Sequence, residues 1–389
     1  MVVRGERLGR DFARVWAAAS VSVVGDGVRV AVLPLLAVAV SPTPSAVTAV
    51  AVAGAGPWLV FSLFGGALAD RYDRRTLMWR TDAARAVVVA GAAAWVFVAP
   101  PPPLALLVAL AFALGCAETV FDNASTAMLP DIVAPARLDA ANGRLQGSHA
   151  VGLQFVGPPL VVDAASFALA ALLMWFVRAR PAVPAKSGRS MRADIAEGVR
   201  WLWGHHGLRL LAIELGLAAL AVQLATSVLV LLVVQTLHAP EFAYGLVLAS
   251  GAAGGVLGSF VAGPLKRRLP LGARIGLAIT AIGAALVAAS FATSVVLVAG
   301  MYALGSFGMI LWNVQAVSVR QRLVPRELRG RVSSAYRLIG WGGIPLGAAL
   351  GGVLGTAAGV RTPILVGGCL VLASLVLIPK LAKLEPESR

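Results

Sequence analysis

Four acidic residues within long apolar runs of this chain stand out as candidates: Asp26, Glu118, Asp122 and Glu214. A carboxylate inside a hydrocarbon layer is costly enough to be a functional suspect by default. Glu118 and Asp122 are four positions apart, so on a helix they share one face. Two such neighbours favour a proton on at least one of them, which suits a group that binds and releases protons. Hydrogen bonding between helices is the structural alternative for the same pair. Asp26 precedes Arg29 by one helical turn, and the two can neutralise each other. Glu214 has no charged neighbour within one helical turn in its run, although Gln223 follows nine positions later. Asp163 is expected at a hairpin tip facing water, and His149 as a polar packing contact.

Other chemistry is poorly represented. The sequence offers no phosphate-cradling Gly-Lys-Ser/Thr loop, no metal-spaced His or Cys cluster and no nucleophile set, so an enzyme is not expected, nor a cofactor or metal. Cys116 and Cys369 lie in apolar runs and read as packing residues.

The acids need elements to hold them, and composition says which. Hydrophobic residues are 59% of 389 and charged residues 13%, with a mean hydropathy of +0.84. A soluble fold could not hide that much apolar surface, whereas a helix of about 20 residues crosses a hydrocarbon layer of about 30 Å. Apolar runs fall at 12–40, 46–69, 81–99 and 104–127, then as a compressed pair within 142–177. Further runs follow at 208–236, 242–265, 274–291, 295–319, 332–358 and 363–380. The expected organisation is an all-α polytopic membrane protein with a transmembrane half over 1–177, a polar linker over 178–207 and a second half over 208–389.

The net charge of +15 is distributed by loop. Arg4, Arg7, Arg10 and Arg14 precede the first run, Arg71, Arg74, Arg75 and Arg80 follow the second, and Arg137 and Arg144 follow the fourth. The connections between, at 41–45, 99–103, 238–241 and 290–294, hold no Lys or Arg. This is the positive-inside pattern, expected to place both termini in the cytoplasm, and it argues against nucleic acid as the partner. The basic N-terminal segment reads as leading into a retained first span.

The halves echo each other locally. Pro135 to Arg144 is followed by Gly157-Pro-Pro-Leu160, as Pro325 to Arg331 is followed by Gly343-Ile-Pro-Leu346. Beyond that point 16 positions separate Pro345 from Arg361, but only 4 separate Pro159 from Asp163. About a dozen residues, or roughly 18 Å of helix, are missing from the hairpin of spans five and six. Fusing 142–177 into one span would invert the second half and put Lys266, Arg267 and Arg268 outside, against the charge bias.

The loop Gly65-Gly66-Ala-Leu-Ala-Asp70-Arg71-Tyr-Asp73-Arg74-Arg75 resembles the signature between spans two and three of the major facilitator superfamily. Asp73, in place of the usual Gly, is similar to the enterobactin-exporter and macrolide-efflux branch. The resemblance implies a major facilitator fold of two six-helix halves, here with the shortened hairpin. It also implies that Gly65, Gly66, Asp70, Arg71, Arg74 and Arg75 form a conformational latch, with the start of span eleven near Ser333 and Ser334 as partner. Gly152, Gly157, Pro158 and Pro159 resemble the start of the glycine-proline gate motif of proton-coupled exporters, and Pro345 is the counterpart kink.

The expected function is proton-coupled export of a small amphipathic compound, drug-like or siderophore-like, by alternating access in the bacterial inner membrane. A small-molecule substrate, protons and lipid are the expected partners, and the family usually works as a monomer. Two alternatives remain open: a facilitator or importer of a polar solute, and a transport-inactive remnant or membrane binding protein. Small-residue spacings such as Gly254 to Gly258 and Gly347 to Gly351 are expected to pack helices closely, and Trp58, Trp79, Trp95, Trp201, Trp203 and Trp312 to anchor span ends.

Overall fold

The structure is a computed structural model that describes residues 10–98, 102–133, 141, 144–145, 148, 160–177, 191–325 and 328–384. Within these ranges the side chains of 60–71 and of scattered positions including Ser333 and Ser334 are not described. Every regular element among the described residues is helical. A chain this apolar meets its backbone hydrogen bonds within each span, because lipid offers none.

The helices are α1 (Arg10–Val40), α2 (Pro44–Arg71), α3 (Arg74–Val98), α4 (Leu104–Ile132), α5 (Leu160–Trp175), α6 (Met191–Gly204) and α7 (His206–Thr226). They continue as α8 (Glu241–Arg268), α9 (Leu271–Ser290), α10 (Val295–Leu323), α11 (Arg329–Ala358), α12 (Arg361–Ala373) and a short α13 (Ile378–Ala382). A single turn and a π-helical turn, Leu232–Thr236, extend α7. Eight helices among the described residues are long and apolar enough to cross a membrane. The helix starts follow local chemistry. Pro103, Pro240 and Pro270 sit extended just ahead of α4, α8 and α9, and the Ser294 side chain accepts the Leu297 N–H to cap α10.

The α5 helix is described over the 16 residues Leu160–Trp175. The arm before it, with Gly152, Gly157, Pro158 and Pro159, lies outside the described residues, as does His149. Pro345 lies inside α11 and is buried.

The chain forms two compact units. One comprises 1–33 with 60–187, the other 34–59 with 188–389. The changeovers fall inside α1 next to Pro34 and inside α2 near Pro57, where proline removes a rung of the helical ladder. The first unit packs α3 against α4 and α5 around Val15, Ala18, Met78, Phe121, Met128 and Met174.

In the second unit α7 pairs with α11, and α10 with α8 and α9. The α7–α11 seam is glycine-lined. A Cβ on Gly347 would run into the Leu220 carbonyl, and one on Gly351 would meet Ser227 and the Leu224 carbonyl. Residues 34–59 lie on the same helix, with Thr48 against Gly352 and Pro44 against Gly355. The Trp58 and Trp341 rings meet edge to face at 4.1 Å, and Gln235 Nε2 donates to the Pro42 carbonyl at 3.0 Å.

Candidate functional site

The first unit buries a network of ionisable side chains drawn from four helices. From α1, the Arg29 guanidinium reaches Glu118 Oε2 of α4 at 2.6 Å and Asp26 Oδ1 at 3.5 Å. From α3, Arg85 lies 3.4 Å from Asp82 Oδ1 and 3.6 Å from Asp26 Oδ1. Ser22 donates to Asp82 Oδ1 at 3.1 Å and accepts from Arg85 at 3.2 Å. The same guanidinium stands over Phe167 of α5 at 4.9 Å and Phe121 of α4 at 5.9 Å. Half-buried Asp122 is within electrostatic range of both Arg85 and Glu118.

Asp163 completes the group and corrects an expectation. The sequence reading puts it at a hairpin tip facing water, yet it is fully buried in the first turn of α5, and neither carboxylate oxygen has a hydrogen-bond partner. The cause is local. Gly25 of α1 leaves a hollow that the Asp163 carboxyl fills, and a Cβ on Gly25 would come within 2.6 Å of Asp163 Oδ1.

The structure thus brings together Asp26, Glu118 and Asp122, three of the four acids singled out by sequence. It also adds Asp82, Arg85, Ser22 and Asp163. The signal for Asp82 and Arg85 is present in the sequence as an acid and a base one turn apart inside an apolar run, the same pattern as Asp26 and Arg29. Arg29 makes its shorter contact with Glu118, so local neutralisation by Asp26 is only part of its role.

Charge counting decides what the site can do. Among the described residues, two guanidiniums face four buried carboxylates, those of Asp26, Asp82, Glu118 and Asp163, a formal excess of two negative charges were all ionised. A lone carboxylate cannot stay ionised in such surroundings without a compensating cation. Such a cluster is chemically suited to hold protons or to admit a positively charged group. Among the described residues no three His, Cys, Asp or Glu side chains are arranged to hold a metal ion.

Glu214, the fourth acid, is buried in the second unit in surroundings of its own, beside Trp312 of α10 and Tyr336 of α11. Trp312, expected to anchor a span end, is instead a buried core residue.

The basic loop before α3 is only partly described, and the side chains of Gly65, Gly66, Asp70 and Arg71 lie outside. Arg74 pairs with Asp131 at the end of α4. Arg75 donates to the Met174 carbonyl at 3.2 Å and to that of Trp175, closing the C-terminal end of α5. Asp73 caps α3, accepting from the Thr76 hydroxyl at 2.6 Å and the Thr76 N–H at 3.3 Å. That cap is a physical reason for an acid where the resembling motif carries glycine.

Helices that span lipid and bury a carboxylate-rich cluster across four of them define a polytopic membrane transporter. The sequence matches the profile of the transmembrane secretion effector family over residues 9–388. This chain belongs to that family, within the major facilitator superfamily. It is 28% identical to the multidrug efflux pump Tap of Mycobacterium tuberculosis strain H37Rv over 381 residues, covering 91% of this chain and 88% of that one. It is 27% identical to Tap of Mycolicibacterium fortuitum, covering 96% of each. Among solved structures, a mutant form of the nucleoside transporter NupG superposes with a TM-score of 0.77 at 12% identity, over 96% of this chain and 100% of that one. A bacterial homologue of the iron transporter ferroportin in an inward-facing state gives 0.66 at 19% identity, over 97% and 100%. These two show the shared fold.

Proposed function

We propose that this protein exports small amphipathic molecules across the bacterial inner membrane by alternating access, in exchange for protons, with Asp26, Glu118 and Asp122 in the exchanging site. The observation that carries the reading is the surplus, among the described residues, of buried carboxylates over guanidiniums around Arg29 and Arg85. A proton arriving on Glu118 cancels the charge that holds Arg29 at 2.6 Å, and the freed guanidinium turns to Asp26. Loss of that proton restores the pair. A substrate bearing a positive group competes with protons for the same carboxylates, which is how export becomes coupled to proton entry. The multidrug efflux pumps to which the chain is similar support export of drug-like compounds.

In this reading the halves 1–177 and 208–389, joined by the 178–207 linker, work as a monomer with both termini and the basic loops in the cytoplasm. Gly65 to Arg75 serve as the latch, and Gly152, Gly157, Pro158, Pro159 and Pro345 as gate and kink positions. The test is extrusion of a panel of lipophilic dyes from proteoliposomes with and without an imposed pH gradient. Glu118→Gln is expected to cut gradient-driven extrusion at least tenfold while the protein stays folded. Equal extrusion without a gradient, or by the variant, would replace export coupling with facilitated passage.

A further inference from the structure

The second unit contains a buried acid that the cluster above does not use. Glu214 is 1% exposed, and neither of its carboxylate oxygens has a hydrogen-bond partner. Beside it lies the Trp312 indole N–H, near enough to act on the carboxyl as a donor but outside good hydrogen-bond geometry. Tyr336 stands within electrostatic range from α11, and its hydroxyl makes only a long 3.5 Å reach to the Leu211 carbonyl, one turn before Glu214. Behind that ring, the Arg320 guanidinium covers its face at 4.6 Å.

Among the described residues no cation contacts the carboxylate. Arg274 of α9 is engaged by Gln315 Oε1 at 2.6 Å. On α12, Arg361 donates to the Ser290 and Ala292 carbonyls and Cys369 is exposed. Lys380 of α13 and Arg200 of α6 are exposed, and His205 precedes α7, about 13 Å along the helix from Glu214.

An ionised carboxylate would be prohibitive in this setting, and a neutral acid is tolerable. Two hydrogen-bond donors nonetheless stand ready but poorly engaged. We propose that Glu214, Trp312 and Tyr336 form a second proton site, in which Glu214 is a carboxylic acid in the packed state. When it gives its proton to water, the carboxylate takes the Trp312 N–H and the Tyr336 O–H, with Arg320 behind the ring as counter-charge. Rebinding a proton from water returns the Tyr336 hydroxyl to Leu211. The site lies on α7, α10 and α11 and has no member in common with the cluster of the first unit. It rests on the proton-coupled reading only for the use made of the proton, since protonation can be read without transport.

The test is infrared difference spectroscopy of the full chain in lipid nanodiscs, titrated with pH, following the C=O stretch of protonated carboxyl groups. Glu214→Gln is expected to remove one component of that band at neutral pH, whereas Glu118→Gln leaves this component in place. Tyr336→Phe and Trp312→Phe, which keep the packing and remove one donor each, are expected to let the component persist to a pH higher by roughly one unit. A band unchanged by Glu214→Gln would overturn the proposal, as would a titration indifferent to both donor removals. Failure of dye extrusion alone would count against the export reading and leave this result standing.

Discussion

Replacing Arg85 by Met tests the charge logic of the first unit most directly. Arg85 is 1% exposed and contacts Asp82 at 3.4 Å and Asp26 at 3.6 Å. At an effective dielectric of about 20, each contact contributes about 5 kcal/mol of attraction. Desolvating the guanidinium costs several kcal/mol, so removing one partner from such a network nets about 3–5 kcal/mol of destabilisation. Methionine fills similar volume against Phe121 and Phe167, so the loss reports charge more than a cavity. For a unit of this size, about 2–4 °C per kcal/mol gives a fall of roughly 6–20 °C in the melting temperature. The assay is loss of the monodisperse peak on heating in detergent. Pairing Arg85→Met with Asp82→Asn should recover more than half of the fall, because an uncompensated acid leaves with the cation. A single variant melting within two or three degrees of the parent would refute the reasoning, as would a double variant no better than the single one.

Asp73→Ala should lower stability by about 1 kcal/mol through loss of the α3 cap, with Asp73→Ser close to the parent, read in the same melting assay. Arg75→Ala should loosen the end of α5 and speed hydrogen exchange at Met174 and Trp175 while exchange in α8 stays unchanged. Gly347→Val should prevent α7 and α11 from closing, lowering folded yield severalfold, because its side chain would occupy the place of the Leu220 carbonyl. Single cysteines at Lys266 to Arg268 should resist a membrane-impermeant thiol reagent in intact cells and react in inverted vesicles; labelling from the medium would invert the proposed orientation.

Span architecture is legible in the sequence because hydrophobic run length and loop charge are one-dimensional properties. The acids Asp26, Glu118 and Asp122 are legible for a related reason, since an ionisable residue deep within an apolar run stands out, whereas Asp82 and Arg85, near the start of theirs, blend with the basic loop before it. Which residues meet is not. Arg29 pairs in sequence with its nearest neighbour, Asp26, while its shorter contact crosses to Glu118, 89 positions away. Asp163 escapes a sequence reading because its burial depends on a hollow at Gly25, on another helix. Trp312 escapes it because a tryptophan near a span end is usually interfacial, and its neighbour Glu214 is nearly a hundred residues distant in the chain. Sequence periodicity carries which face of a helix is polar, whereas the pairing of faces is a property of packing.

The glycine seam gives α7 and α11 the character of a single stiff jaw. With backbone lying on backbone, neither helix has side-chain slack with which to slide past the other. Glu214 rides on one member and Tyr336 on the other, so their spacing is clamped, while α10, which carries Trp312, is seated just as closely on its own neighbours: a Cβ on Gly254 of α8 would run into the Ala303 carbonyl, and one on Gly308 into the Ala278 carbonyl of α9.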